Sequence, residues 1–115
     1  MTLKKIFYKM ILVILLNIFY ELGDYKFVWD SEKAEINKRK HGVSFNVAVH
    51  VFLDKNKLDD FDELHSDFEE RNKIIGRAGN ILTVIYTERG DRNRIISARR
   101  ATKKEEESYY EQFYY

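Results

Sequence analysis

The chain predicts an α+β fold, a short N-terminal strand and two helices followed by an antiparallel strand meander and a C-terminal helix. Val84 to Thr102 holds two alternating apolar and polar runs around an Arg-Gly-Asp-Arg turn, which is the pattern of a β-hairpin. Thr102-Lys103-Lys104-Glu105 has the spacing of a capping box, so a helix should begin there. Asp30, Ser31 and Ser44 are further N-cap candidates, each standing before a stretch without Gly or Pro. A length of 115 residues allows one compact domain, and 44% hydrophobic content with 8 Phe and 8 Tyr can supply its core.

Residues 1–24 differ from the rest. Met10 to Leu16 is wholly apolar, and Lys4 and Lys5 stand in front of it. A helix of about 15 residues reaches only roughly 22 Å, short of a hydrocarbon core of about 30 Å. Three readings stand: a helix packed on the domain, a weak membrane anchor, or a stretch outside the normal domain created by an early start codon. The first and third are preferred, and membrane attachment is not expected. The domain is therefore drawn over residues 25–115.

Tyr25 to Trp29 is aromatic and β-branched, suited to a strand. Glu32 to His41 should be helical and stop at Gly42, with Lys38 to His41 favourable at its carbonyl end. Phe45, Ala48, Val49 and Phe52 form an apolar stripe at helical spacing after Ser44, and His50 falls off that stripe toward solvent. A short strand near Lys57 to Phe61 should lead into a loop through His65 and Asp67. From Arg71 a strand runs through Gly76 to an Ala-Gly-Asn turn and on into Ile81 to Glu88. Tyr109, Tyr110, Phe113 and Tyr114 give the last helix an aromatic face.

The formal net charge is only +1, yet acids dominate from Asp54 to Glu70 and bases from Arg89 to Lys104. A basic hairpin is the footprint of a polyanionic partner, or is neutralised by the chain's own acidic segment. Strict alternation along Arg92 to Arg100 puts Arg99 with Ile95 and Ser97, and Arg94 and Arg100 with Ile96 and Ala98. An open sheet face could thus gather Arg, Tyr and Glu, the groups that bind a phosphodiester, stabilise charge on it and move a proton. RNA supplies its own nucleophile, the 2′-hydroxyl, so no metal is needed. The absence of Cys removes thiolate sites, and His41, His50 and His65 show no metal-ligand spacing. Phosphate-binding glycine loops and the G-x-S-x-G elbow are also missing from the sequence.

F-V-W-D from Phe27, K-H-G-V-S-F from Lys40, E-E-R-x-x-I-I-G from Glu69 and the Val84 to Thr102 stretch agree in identity, order and spacing with one family. Together they resemble the BrnT toxins of bacterial type II toxin-antitoxin modules, over about residues 25 to 110. The resemblance implies a RelE-like ribonuclease fold and metal-independent, cofactor-free RNA cleavage that arrests translation in the cytoplasm. It also implies neutralisation by a BrnA-type antitoxin, with operator DNA reached only through that complex. Carried over by position, it puts catalytic weight on Lys40, His41, Arg71, Glu88, Arg99 and Tyr109, and RNA binding on Arg94, Arg100 and Lys103. Arg99 with Arg71 or Arg100 would hold the scissile phosphate, His41 or Glu88 would move a proton, and Tyr109 would orient RNA or join the proton transfer. The rival expectation is a non-catalytic module that binds a protein partner and acts with it in transcriptional autoregulation. Residues 1–24 are not ordinary for the family, and Asn46 and Val47 replace acids common at the start of the second helix.

Overall fold

The computed structural model describes residues 2–61 and 70–114. Its centre is a six-stranded mixed sheet in the order β1-β2-β6-β5-β4-β3. The strands are β1 (Asn17–Leu22), β2 (Tyr25–Asp30), β3 (Leu58–Phe61), β4 (Asn72–Ala78), β5 (Asn80–Arg89) and β6 (Arg92–Arg100). Helix α1 (Leu3–Leu16) precedes β1, α2 (Ser31–His41) and α3 (Phe45–Ala48) follow β2, and α4 (Lys103–Glu111) closes the chain. A 3-10 turn, Val49–Leu53, continues α3. The α+β expectation holds, with β3 to β6 as the antiparallel meander. The loop expected through His65 and Asp67 lies outside the described residues.

Local signals set the helices. The Asp30 side chain accepts from the Lys33 amide at 2.9 Å, and Gly42 ends α2 in the left-handed region at φ 71°. Ser44 caps α3, whose Phe45 and Ala48 are buried with Val49, Val51 and Phe52 of the following turn. These residues pack on Phe27, Trp29, Ile74, Leu82 and Val84, so α2, α3 and the 3-10 turn cover one sheet face. His50 is exposed, as its place off the stripe predicts.

Two features depart from the expected pattern. The sheet takes in Asn17–Leu22, which the sequence groups with the apolar N-terminal segment. Tyr20 and Leu22 pack against the core and Phe19 faces away, an alternation hidden by the apolar run before it. Second, Ile85 pairs with Ser97 but Tyr86 pairs with Ile95, leaving Ile96 as an extra residue in β6. This bulge reverses the alternation, so that Ile95 and Ala98, three apart, are both buried in the same core. Arg99 consequently shares a face with Arg94, and Arg100 turns to the helix-covered side, which corrects the strict alternation.

β2 runs parallel to β6 only at Phe27 and Val28 before the chain turns into α2. Beyond that point Asn37 takes over the ladder, accepting from the Ala98 amide at 3.2 Å and donating to the Ala98 carbonyl at 2.8 Å. It also donates to the Val43 carbonyl at 3.1 Å, fixing the loop after α2. Asn37→Ala should leave the buried amide and carbonyl of Ala98 unpaired. A stability loss of about 2–4 kcal/mol is expected, read as a lower denaturant midpoint; an unchanged midpoint would remove Asn37 from this role.

Candidate functional site

The sheet face away from α2 and α3 carries the cations. Register sets Arg92, Arg94, Ser97 and Arg99 of β6 opposite Arg89, Thr87, Ile85 and Thr83 of β5. Lys73 joins them from β4, opposite Ile85. Cross-strand partners point to the same side, so register gathers Lys73, Arg89, Arg92 and Arg94 on one basic surface and the bulge adds Arg99 to it.

Helix α4 closes one end of this face. Tyr109, 1% exposed, packs with Ile75 and Ile81 in a second small core. Its hydroxyl donates to Asp54 Oδ2 at 2.6 Å, and the same oxygen accepts from the Arg77 amide at 2.7 Å. Burial pushes the Asp54 carboxyl up, but the bonds from Tyr109 and the amides of Asn56 and Arg77, with the Arg77 charge, leave it below its ordinary range. Tyr109 is raised by its own burial and by Asp54, against a smaller opposing effect of Arg77. α4 is thereby tied to the end of the 3-10 turn and to β4.

Anchored this way, the first turn of α4 directs Glu105 into the arginines. Arg99 grips it in a fork, donating from one terminal nitrogen to Oε1 at 2.7 Å and from the other to Oε2 at 3.2 Å. Oε1 also accepts from Thr83 Oγ1 at 3.0 Å and from the Thr102 amide at 2.8 Å, and Lys73 Nζ lies 3.6 Å from Oε2. Burial alone would raise this carboxyl; the bonds from Arg99, the Thr102 amide and Thr83, with the Arg99 charge, instead hold it at about 2. Glu105 is therefore ionised and surrounded by donors at neutral pH.

At the other end, β1 steadies the remaining arginines. Arg92 donates to the Phe27 carbonyl at 3.0 Å, lies 3.6 Å from Glu21 and sits 5.1 Å over the Phe19 ring. Arg94 donates to Asn17 Oδ1 at 3.1 Å. Phe19 is exposed, so an aromatic surface borders the cations. Among the described residues no group of three His, Cys, Asp or Glu side chains converges as metal ligands would.

The residues proposed from sequence divide between the two faces. Arg94 and Arg99 lie on the open face. Lys40 and His41 end α2, in the layer over the opposite face. Glu88 and Arg100 are exposed and in register with Asn93 and Leu82, on that covered side, and Arg100 donates to Asn80 Oδ1 at 3.2 Å. Arg71 directly precedes β4 and is partly buried. Lys103 is exposed on α4 beside a shallow cavity of about 440 Å³ that Glu106, Glu107 and Glu111 also line, an unfavourable place for a polyanion. Tyr109 is a buried anchor of α4 rather than a surface group. Arg92, Lys73 and Glu105 were missed as parts of the site. The N3 position of Glu105 was legible, but its second set of bonds depends on where α4 docks.

Residues 29–105 match a family described as the ribonuclease toxin, BrnT, of type II toxin-antitoxin systems. The structure is similar to the crystal structure of the Brucella abortus ribonuclease toxin, BrnT. The two share 27% identity over 67% of this chain and 96% of that chain, with a TM-score of 0.52. No curated protein matches the chain by sequence.

The Glu105 carboxyl is held at about 2 against an ordinary 4.5. Its folded value is the lower one, so its stabilisation is complete above about pH 4.5 and is lost as pH falls toward 2. Wild type should lose about 1–3 kcal/mol more than Glu105→Gln across that window, measured as denaturant midpoints at stepped pH. Equal losses would show that the pair contributes nothing.

Proposed function

This chain belongs to the family of BrnT ribonuclease toxins of type II toxin-antitoxin systems, and from that premise we propose that its open sheet face cleaves RNA without a metal. What supports this most is the bulge at Ile96, which gathers Arg92, Arg94 and Arg99 on the face that carries Lys73. A phosphodiester laid there is met by several cations, and Phe19 at the border offers a ring on which a base can stack. The 2′-oxygen of the RNA attacks the adjacent phosphorus as its proton passes to solvent water, the bond to the 5′-oxygen breaks, and that oxygen takes a proton from water, so that a 2′,3′-cyclic phosphate and a 5′-hydroxyl result. Arg99 and Lys73 stabilise the extra negative charge that develops on the phosphoryl oxygens.

Glu105 is unsuited to accept the 2′-proton, because its carboxylate is held at about 2 and already occupied by donors. It holds the Arg99 guanidinium in place, and Tyr109 acts one step further back by anchoring α4. His41 and Glu88, on the covered side, have no step in this reading. The RelE-like architecture is compatible with such a face. A toxin-antitoxin family implies an antitoxin partner, and we take it to be a DNA-binding, BrnA-type protein that covers the same basic surface in the cytoplasm. Operator DNA is then reached only through that complex.

One observation favours a second reading. Arg99 is already forked onto Glu105, as it would be in a non-catalytic module that binds a protein partner and acts in transcriptional autoregulation. Purified chain, incubated with RNA and chelator and followed by mapping of RNA ends, separates the two. The first reading expects new ends that vanish with a 2′-deoxy residue at the cut. Cleavage should fall at least about a hundredfold in Arg99→Ala and stay near wild type in His41→Gln. Absence of cleavage by wild type would favour the binding module, and loss on chelation would overturn metal independence.

A further inference from the structure

Helix α1 is the least covered element of the described chain. Leu3, Ile6, Phe7, Met10, Leu12 and Leu15 are each at least 40% exposed. The whole molecule measures 61 Å along its long axis against 28 and 26 Å across. Of the three readings of this segment, a helix packed on the domain finds little support, since the described chain leaves most of this apolar surface uncovered. So much exposed hydrocarbon on one element marks an interaction surface.

Its occupant can be read from charge and geometry. α1 carries Lys4, Lys5 and Lys9 and not one acid, so its partner is anionic. Leu3, Ile6, Phe7 and Met10 recur at three- and four-residue spacing on the side away from Lys5 and Lys9. Tyr8 lies on the lysine side, with Lys4 5.9 Å over its ring, an amphipathic side chain of the kind enriched at lipid interfaces. Farther along, Leu12 and Leu16 follow Tyr8 at four-residue steps, so apolar side chains extend onto the lysine side as well. A protein groove would leave one side of that last turn in water, whereas lipid surrounds it. Side-by-side pairing with a second copy through that apolar side would likewise leave Leu12 and Leu16, on the lysine side, in water. The helix spans about 21 Å, enough to lie in or dip into a headgroup layer. No described helix is long and apolar enough to cross a membrane.

We propose that α1 anchors this chain to an anionic lipid surface, its apolar side in the acyl boundary and Lys4, Lys5 and Lys9 on the lipid phosphates. Attachment would tether the sheet through β1, whose Asn17, Phe19 and Glu21 stand beside Arg94 and Arg92. The anchor is independent of catalysis.

Full-length chain carrying Arg99→Ala, to spare the expression host, should float with phosphatidylcholine vesicles containing phosphatidylglycerol and stay behind with phosphatidylcholine alone. Changing Lys4, Lys5 and Lys9 to Glu should lower the partition coefficient about a hundredfold. Phe7→Ser with Leu15→Ser should also abolish flotation, and since both side chains are exposed the melting temperature should not move. Failure to float, equal binding to neutral vesicles, or full binding by either variant would overturn the anchor. So would concentration-dependent dimerisation that the Phe7 and Leu15 changes abolish, which would assign the helix to a second copy.

Discussion

One extra residue in one strand decides which side of this sheet is basic. Were Ile96 paired in regular register, with no bulge, strict alternation would send Arg94 and Arg99 to opposite faces, and one of them would meet the aromatic core under α2 and α3. The bulge lets β6 bury Ile95 and Ala98 against that core while Arg92, Arg94 and Arg99 stay on the open side. A bulge interrupts ladder bonds and bends the strand, a cost the surrounding strands must offset. β6 can bear it because it is central. β5 flanks it along its length, β2 flanks its start, and Asn37 satisfies Ala98 where β2 has left.

Gathering cations on one face creates its own difficulty, since like charges a strand apart repel. The structure answers with acceptors at both ends: Glu105 between Arg99 and Lys73, and Asn17, Glu21 and the Phe27 carbonyl around Arg92 and Arg94. Each acceptor arrives on an element from outside the hairpin. The basic hairpin that stands out in the sequence is therefore a dependent feature. β1 and α4 must dock before its arginines hold defined positions.

That dependence explains what was legible. Asp30, Gly42, Ser44, Thr102 and Glu105 announce helix boundaries through bonds within a few residues, and every one of those caps is present. The meander was legible because its turns are marked by Gly79 and Gly90, both at positive φ. The bulge was not legible, because Ile95-Ile96 offers two equivalent apolar residues and only pairing with β5 decides which is inserted. β1 was masked by the apolar run before it. The candidate site divides the same way: Arg94 and Arg99 stand out in the basic run of the sequence and lie on the open face, whereas Lys73 and Glu105 acquire meaning only through register and the docking of α4.

The Glu105 carboxylate bears on how a phosphate would engage this face. A carboxylate forked by an arginine, backed by a lysine and a threonine hydroxyl, occupies much the same set of donors that a phosphate would use. Were α4 free to leave, Glu105 would compete with substrate; held by Tyr109 on Asp54, it cannot leave cheaply. On the proposed reading, a phosphate would approach Arg99 and Lys73 from the solvent side, where both remain partly exposed, and share them with Glu105. Sharing would reduce the net charge offered to RNA but orient the donors before it arrives. A face of this kind would lose some ground-state attraction and avoid reorganisation when charge builds on the phosphoryl oxygens, a balance that would favour the transition state over simple binding.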